Sequence, residues 1–588
     1  MKQRYRWIAG GMATLIVVGL GYDMWQRTLD QELWGYRPLF WFLAAWVVLL
    51  VLLSRKWTVS DRRWRWLVWS SASGALLSVG FPPLPTAFLL FGAFVPLLLT
   101  ERAISAARLP LRTVLFFSYN TFVLWNILTT YWVGNTAFVA GIVAIWLNAF
   151  FMAAVFTLAA WTTRQMPRVG YLPFITFWIG FEYLHLNWEI SWSWLNLGNA
   201  FAALPGWIQW YEYTGIFGGT LWILGANVLL LKLYDHYRSG NLRWSIGWRI
   251  ACWLIVPLVL SVVVRQQYQS DGTLRRVAII QPNFEPHYEK FRVPRQQQLR
   301  VFLQLAQPII SDSTDYLLFP ETAFGSVDLL APRNNAQVRQ IQVFLQSYPE
   351  LQLISGVSAH QIFQPTDTLP PAVRRRERNG KVTLFEAYNA AIQLSADPEE
   401  FQFYKKSKLV PGAEFLPYRK LFFWLKPLVD KLDGSLEGFG GQKQRTPLVS
   451  DDGKVAAQIC YESVFGEYSA GYVRAGAQAI FIMTNDGWWD NTAGHIQHLQ
   501  FARLRAIESR RAIARSANTG ISAFIDPLGN IRQPTKYGVR AAIEDELLFS
   551  DQTTFYVRWG DLIARVSIFT LVLLLLNAIA RRLMPAKG

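Results

Sequence analysis

Nine apolar runs crowd the first 264 residues, near 7–22, 38–53, 66–80, 84–100, 113–133, 137–162, 171–186, 215–233 and 248–264. A tenth closes the chain at 562–580. A helix that crosses a bilayer needs about 17–25 largely apolar residues, so these runs predict a polytopic membrane protein. The chain is 52% hydrophobic and only 16% charged, against roughly 25% charged in soluble globular chains. A wholly soluble, disordered or collagen-like chain is excluded. Phe81-Pro82-Pro83 separates the third run from the fourth, because a helix cannot continue through that pair. Two spans and a re-entrant hairpin both fit there. The first run follows basic residues, as in a secretory leader, but Gly21-Tyr22-Asp23-Met24 has no small-x-small cleavage pattern. It is read as a span.

The net charge of +17 admits a nucleic-acid partner until it is partitioned. Residues 265–561 carry +3 and the rest +14. A nucleic-acid footprint needs a clustered basic face, and this one is spread over membrane loops. Lys2, Arg4, Arg6, Arg55, Lys56, Arg62, Arg63, Arg65, Arg102, Arg108, Arg112, Arg164, Arg168, Lys232, Arg238, Arg243, Arg249, Arg581, Arg582 and Lys587 all fall in alternate loops or tails. Only Arg27 and Arg37 fall in the others. Basic loops stay cytoplasmic. Ten spans follow, with both termini cytoplasmic and 265–561 outside the cytoplasm. Four segments result: an N-terminal hairpin at 1–60, a multi-span domain at 61–264, the outside domain at 265–561, and a final span and tail at 562–588. The aromatic loop at 187–215 fits both an interfacial belt and a lipid-binding floor under the outside domain.

The outside domain alternates short apolar strands (276–281, 316–320, 351–357, 388–394, 455–461, 479–484, 521–525) with helical periodicity at 295–307, 335–347 and 495–511. Near-continuous apolar strands between helices predict an α/β domain covered on both sheet faces. In the last helix Arg503, Arg505, Glu508, Arg510 and Arg511 are read as its charged face. The stretch 362–381, with Arg374-Arg375-Arg376, is read as an exposed insertion.

Glu321, Lys406 and Cys460 stand at strand ends, where sites assemble in α/β folds. A thiol needs a base to become a nucleophile, a carboxylate can be that base, and an ammonium can hold an oxyanion. Each also has a plain structural reading. Glu321 can cap a helix, Lys406 is one of three neighbouring lysines, and a lone cysteine is more often a small buried hydrophobe. Cys252 is read that way.

Three motifs extend the pattern: Phe319-Pro320-Glu321-Thr322, Tyr404-x-Lys406-x-x-Leu409-Val410-Pro411 and Ile459-Cys460-Tyr461-Glu462-Ser463. They resemble the Glu-Lys-Cys triad of the nitrilase (carbon–nitrogen hydrolase) superfamily. Gly80-Phe81-Pro82-Pro83, Trp194-Leu195-Asn196-Leu197-Gly198, Glu414-Phe415-Leu416-Pro417, Thr484-Asn485-Asp486-Gly487-Trp488-Trp489, Gln497-His498, Asn518-Thr519-Gly520-Ile521-Ser522 and Tyr556-x-Arg558-x-Gly560-Asp561 make the chain similar to its apolipoprotein N-acyltransferase family.

That resemblance implies a nitrilase-like α-β-β-α sandwich and a catalytic triad of Glu321 (base), Lys406 (oxyanion holder) and Cys460 (nucleophile). Glu414, Tyr461 and Glu462 are implied as supporting residues, and Trp194, Phe291, Trp488 and Asn518 as lipid or substrate contacts. It implies a phospholipid acyl donor, a diacylglyceryl apolipoprotein acceptor, a thioester at Cys460, the bilayer as partner, and neither metal nor cofactor. No nucleic-acid partner is expected. His495 and His498 are read as a helix face. A membrane-tethered amidase using water as acceptor, and a non-enzymatic transporter or receptor, are the competing classes. Two features depart from the family pattern: the extra hairpin at 1–60 and the long insertion at 362–381.

Overall fold

A computed structural model describes residues 2–53, 61–241, 243–364, 366–378, 380–421 and 438–583. The expectations at Arg55, Lys56 and Lys587 lie outside the described residues, as do the side chains of Lys2, Arg4 and Arg62.

The apolar runs form helices α1 (Lys2–Leu29), α2 (Arg37–Leu53), α3 (Asp61–Val79), α4 (Val95–Ala106), α5 (Leu111–Thr130), α6 (Phe138–Gln165), α7 (Leu172–Asn187), α8 (Ile216–Arg238) and α9 (Trp244–Gln267). Among the described residues six helical stretches are long and apolar enough to span a membrane by themselves: those of α1, α4 with its lead-in from Ala87, α6, α8, α9, and the C-terminal helix Leu562–Leu583. The remaining described helices fall short of that length or apolarity by themselves. Helices α3, α5 and α7 carry polar groups that the bundle buries, as polar residues at membrane depth require. Asn120 accepts the Trp46 indole N–H at 3.1 Å and donates to Ser70 at 2.9 Å. Glu182 accepts from the Trp178 indole, the Leu197 amide and the Thr220 hydroxyl.

Two sheets follow. The first orders its strands β13-β1-β2-β3-β5-β4, with β6 beside β5. These are β1 (Thr273–Gln281), β2 (Tyr316–Asp328), β3 (Gln352–Phe363), β4 (Arg374–Arg378), β5 (Lys381–Leu394), β6 (Phe401–Lys405) and β13 (Ala541–Phe549). The second, β12-β11-β10-β9-β8-β7, uses β7 (Leu448–Ser450), β8 (Gly453–Ile459), β9 (Ala479–Thr484), β10 (Ile513–Ala517), β11 (Ala523–Ile525) and β12 (Ile531–Arg532). Side chains alternate across a strand, and this builds the layers. Val277 and Ile279 pack in the core with Phe481 and Ile513 of the second sheet. Ala278 and Ile280 face away, onto α10 (Arg295–Ala306) and α11 (Ala336–Leu345) through Leu299, Phe302, Val338 and Ile341. Helices α12 (Gly466–Arg474) and α13 (Ala493–Ser509) cover the second sheet, and α14 (Leu562–Leu583) ends the described chain. The result is the expected polytopic helical domain followed by an α-β-β-α sandwich.

The stretch 362–381 is mostly exposed, as expected, with Arg375 and Glu377 at the surface, and its ends are ordered: β3 runs on to Phe363 and β4 pairs antiparallel with β5. Two expectations are corrected. The charges of α13 do not form a solvent face, because Arg505, Glu508, Arg510 and Arg511 are buried. Each guanidinium meets acceptors that only the fold supplies, such as the Val464 carbonyl for Arg505 and the Ala477 and Gln552 carbonyls for Arg511. Strands β10 and β13 went unrecognised, since Arg515 and the run Glu544-Asp545-Glu546 break the apolar pattern that marks a strand.

Candidate active site

Lys406 follows β6, which ends at Lys405, and the chain leaves the sheet there with its amide donated to the Asn389 carbonyl at 2.9 Å. Its ammonium is buried between two carboxylates, 2.8 Å from Glu414 Oε1 and 3.5 Å from Glu321 Oε1. Asn389 Nδ2 donates to the same two oxygens, at 2.7 Å to Glu321 and 3.1 Å to Glu414. Glu414 Oε2 accepts the Val410 amide at 2.8 Å, which folds the Leu409-Val410-Pro411 turn around the lysine. Burial by itself would lower the Lys406 pKa, but Glu414 and Glu321 outweigh it and hold the ammonium charged well above its ordinary range.

The neighbouring lysines go elsewhere. Lys405 donates to Gln361 Oε1 and lies over the Tyr388 ring at 4.0 Å. Lys408 donates to the Leu186 carbonyl at 3.0 Å and lies over Phe465. Geometry thus gives the three lysines different surroundings, and Lys406, the one the motif spacing singles out, is the one between the carboxylates. Glu321 sits within β2, and Lys290, the residue before Phe291, donates from Nζ to the Glu321 carbonyl at 3.1 Å and to Thr322 Oγ1 at 2.7 Å. Burial lowers Lys290 to about 8.

Cys460 directly follows β8 and has φ +49°. A non-glycine residue held in the left-handed region is strained and needs surrounding structure to keep it there. Glu462 supplies much of that support. Its Oε2 accepts the Ile459 amide at 2.9 Å. Its Oε1 accepts the Ser407 amide at 2.7 Å and the Tyr404 hydroxyl at 2.8 Å, and also meets Tyr468. One buried carboxylate therefore ties the turn carrying Cys460 to the turn carrying Lys406. On the other side, His498 lies 3.2 Å from the Cys460 carbonyl and 2.9 Å from Asp486, which is paired with the buried Arg515.

The thiol environment has competing parts. Burial pushes Cys460 well above the ordinary thiol range, Glu321 pushes the same way, and Lys406 pulls it down. At rest the sulfur is a protonated thiol, so attack has to be coupled to proton removal. Alkylation of Cys460 by iodoacetamide should still climb about tenfold per pH unit at pH 9. Mass spectrometry of the Cys460 peptide reads this directly, and a plateau below pH 8 would show a thiolate already formed.

The other expected contacts divide. Tyr461 donates to the Ser191 carbonyl at 2.9 Å and stacks on Trp194 with ring planes 6° apart. Trp194 and Asn518 are only 2% and 1% exposed, so neither faces lipid. Trp194 donates to Gln497 Oε1 at 2.9 Å, and Gln497 in turn holds the Pro82 and Thr129 carbonyls. Asn518 joins the Phe284 carbonyl to Asn485. Both are joints between segments, positions that motif matching cannot tell from substrate contacts. Gly198 belongs to the same joint, since a Cβ there would come within 1.9 Å of the Ile216 carbonyl oxygen. Phe291, by contrast, is 73% exposed and pairs with Trp488 at 6.3 Å between ring centres. His495 and His498 both lie on α13 and are buried. Among the described residues no three His, Cys, Asp or Glu gather as metal ligands. Asn389 and Lys290 were missed, although Lys290 adjoins Phe291, because an interior asparagine or lysine carries no local signal.

The carbon–nitrogen hydrolase family model matches residues 276–542, and the apolipoprotein N-acyltransferase N-terminal domain model matches 73–229. Curated apolipoprotein N-acyltransferases are similar over most of the chain. That of Chlorobaculum tepidum is 29% identical over 87% of this chain and 96% of its own. That of Geobacter metallireducens is 26% identical over 84% and 91%. The nitrilase-superfamily protein Nit3 of Saccharomyces cerevisiae aligns over 54% of this chain and 97% of its own, at 15% identity and a TM-score of 0.34. With both family models matched in order along one chain, and relatives alike over nearly their whole length, this chain is similar to apolipoprotein N-acyltransferases over most of its length and carries a carbon–nitrogen hydrolase domain.

Proposed function

We propose that this membrane enzyme moves an acyl chain from a glycerophospholipid to the α-amine of a diacylglyceryl-cysteine at an apolipoprotein N-terminus, through a thioester on Cys460. The observation that carries the reading is the buried Glu321–Lys406–Glu414 cluster beside a strained cysteine, on a domain joined to the membrane bundle through Tyr461 and Trp194.

Glu321 takes the Sγ proton as sulfur attacks the ester carbonyl carbon. The carbonyl oxygen becomes an oxyanion held by the Lys406 ammonium. The C–O bond breaks, the departing lysophospholipid alkoxide takes the proton from Glu321, and the acyl group stays as a thioester. The acceptor amine then attacks that carbonyl, Glu321 accepts the amine proton, and the C–S bond breaks as the thiolate leaves. The thiolate recovers a proton from Glu321, giving an amide and free enzyme. Glu414 and Asn389 position Lys406 and Glu321, and Glu462 holds the two turns in register.

The alternation of basic loops supports ten spans with both termini in the cytoplasm, which puts 265–561 in the periplasm. There the domain meets two substrates anchored in one leaflet, and confinement raises their effective concentration. Purified full-length protein in detergent, given phospholipid and a diacylglyceryl-cysteine peptide, should add one acyl chain to the peptide amine, read by mass spectrometry. Hydrolysis of small amides without acyl transfer would instead support the amidase reading.

A further inference from the structure

Residues 1–72 lie outside both matched family models, yet the turn between α1 and α2 is tied into the rim of the site. The Gly35 amide donates to Asp490 Oδ2 at 2.8 Å. The Gly35 carbonyl accepts from Asn135 Nδ2 at 3.1 Å, and the same amide group donates to the Trp489 carbonyl at 3.2 Å. Thr136 donates to the Trp488 carbonyl at 3.2 Å. On the adjoining loop, Arg292 donates to Gln31 Oε1 at 2.7 Å and the Tyr288 hydroxyl to the Glu32 carbonyl at 3.5 Å. The turn is itself stiffened, with Arg27 paired to Glu32 at 2.6 Å and Arg37 paired to Asp23.

The two loops held from outside are the ones that carry the exposed Phe291 and the half-buried Trp488 that pairs with it, with His287 against Trp488 at 5.1 Å. The first also carries Lys290, which grips the Glu321 backbone. We infer that the α1–α2 turn is a brace that sets the Phe291–Trp488 rim, and that Gly35 and Asp490 are positioning residues for entry of acyl chains. This rests on the acyltransferase reading above. An unbraced rim would leave the chemistry in place and weaken capture of the lipid, because loops free to move must be ordered when substrate binds.

Gly35 allows a test from the hairpin side alone. Its φ of +61° suits glycine and, among other residues, asparagine best, and a Cβ there meets only Asp490 Oδ2, at 3.9 Å. Proline cannot adopt that φ and has no N–H to donate. In full-length enzyme, Gly35→Pro should raise the KM for phospholipid or for the diacylglyceryl peptide by about tenfold, the scale of one lost charge-assisted hydrogen bond. The kcat at saturation should stay within about twofold of wild type, because the remaining interactions act in the transition state. Gly35→Asn should restore the wild-type KM. Unchanged KM values in Gly35→Pro, or a fall in kcat alone, would overturn the brace, and so would a Gly35→Asn variant no better than Gly35→Pro. If Gly35→Pro does not accumulate, Asp490→Ala against Asp490→Asn decides by the same criterion. A wild-type enzyme that acylates nothing would sink the acyltransferase reading instead, before any variant is compared.

Discussion

Cys460→Ala should abolish both the acyl-enzyme and the acylated peptide, with a loss of at least about 10⁴-fold in rate, as expected when a covalent nucleophile is removed. The intact-mass spectrum after incubation with phospholipid should show one added acyl chain on wild type and none on the variant. The fold should tolerate the change. The backbone ties of this turn run through the Cys460 carbonyl, the Ile459 amide and Glu462, and alanine keeps these while losing the thiol's contact with Thr484. Glu321→Gln separates base from nucleophile. It keeps the side-chain shape and can still accept from Asn389, but it cannot take the Sγ proton. Since the thiol is pushed up by burial, that variant should fail at thioester formation itself. Acyl-enzyme accumulating in Glu321→Gln would show that another group is the base, and peptide acylation by Cys460→Ala would show that another group is the nucleophile.

The second large effect is at Lys406. Lys406→Met should slow Cys460 acylation by at least about 10²–10³-fold, the range seen when one oxyanion donor is lost. It should also destabilise the protein by about 3–5 kcal/mol, because breaking a buried ion pair from one side strands the partner charge. Here two carboxylates are stranded, with Asn389 their shared donor. The two losses are separable. The double variant Lys406→Met/Glu414→Gln removes one stranded charge, so thermal melting should recover part of the stability. Single-turnover acylation should not recover, since the ammonium is still missing. Recovery of acylation together with stability would make Lys406 a purely structural cation.

Much of the site was legible because its chemistry sits in short local motifs, with Lys406 and Cys460 directly after strands and Glu321 within one. Glu321, Lys406, Cys460 and Glu414 could all be named from short stretches of sequence. Their roles were less legible. The motif spacing picks Lys406 from Lys405 and Lys408, but the surroundings that make it a held ammonium are set by Glu414, with Glu462 anchoring the next residue's amide across the fold. Glu462 reads as a residue flanking the nucleophile, and only its partners show that it clasps two turns. Trp194 and Asn518 read as substrate contacts from their motifs, yet both are buried joints. Their hydrogen bonds reach residues hundreds of positions away, and no periodicity records such pairings.

The sequence by itself determined the class of molecule. Apolar runs of bilayer length, basic residues confined to alternate loops, and alternating strands and helices follow from local patterning, because burial in lipid or in a sheet face selects residues one stretch at a time. Tertiary structure decided everything that depends on two distant segments meeting. It put the arginines in and just after α13 inside, paired β4 with β5, and set the α1–α2 turn against the loops that carry Trp488 and Arg292. A buried guanidinium, an interior asparagine or a glycine amide is acceptable only where a partner group stands ready. The chain supplies that partner by folding, not by sequence neighbourhood.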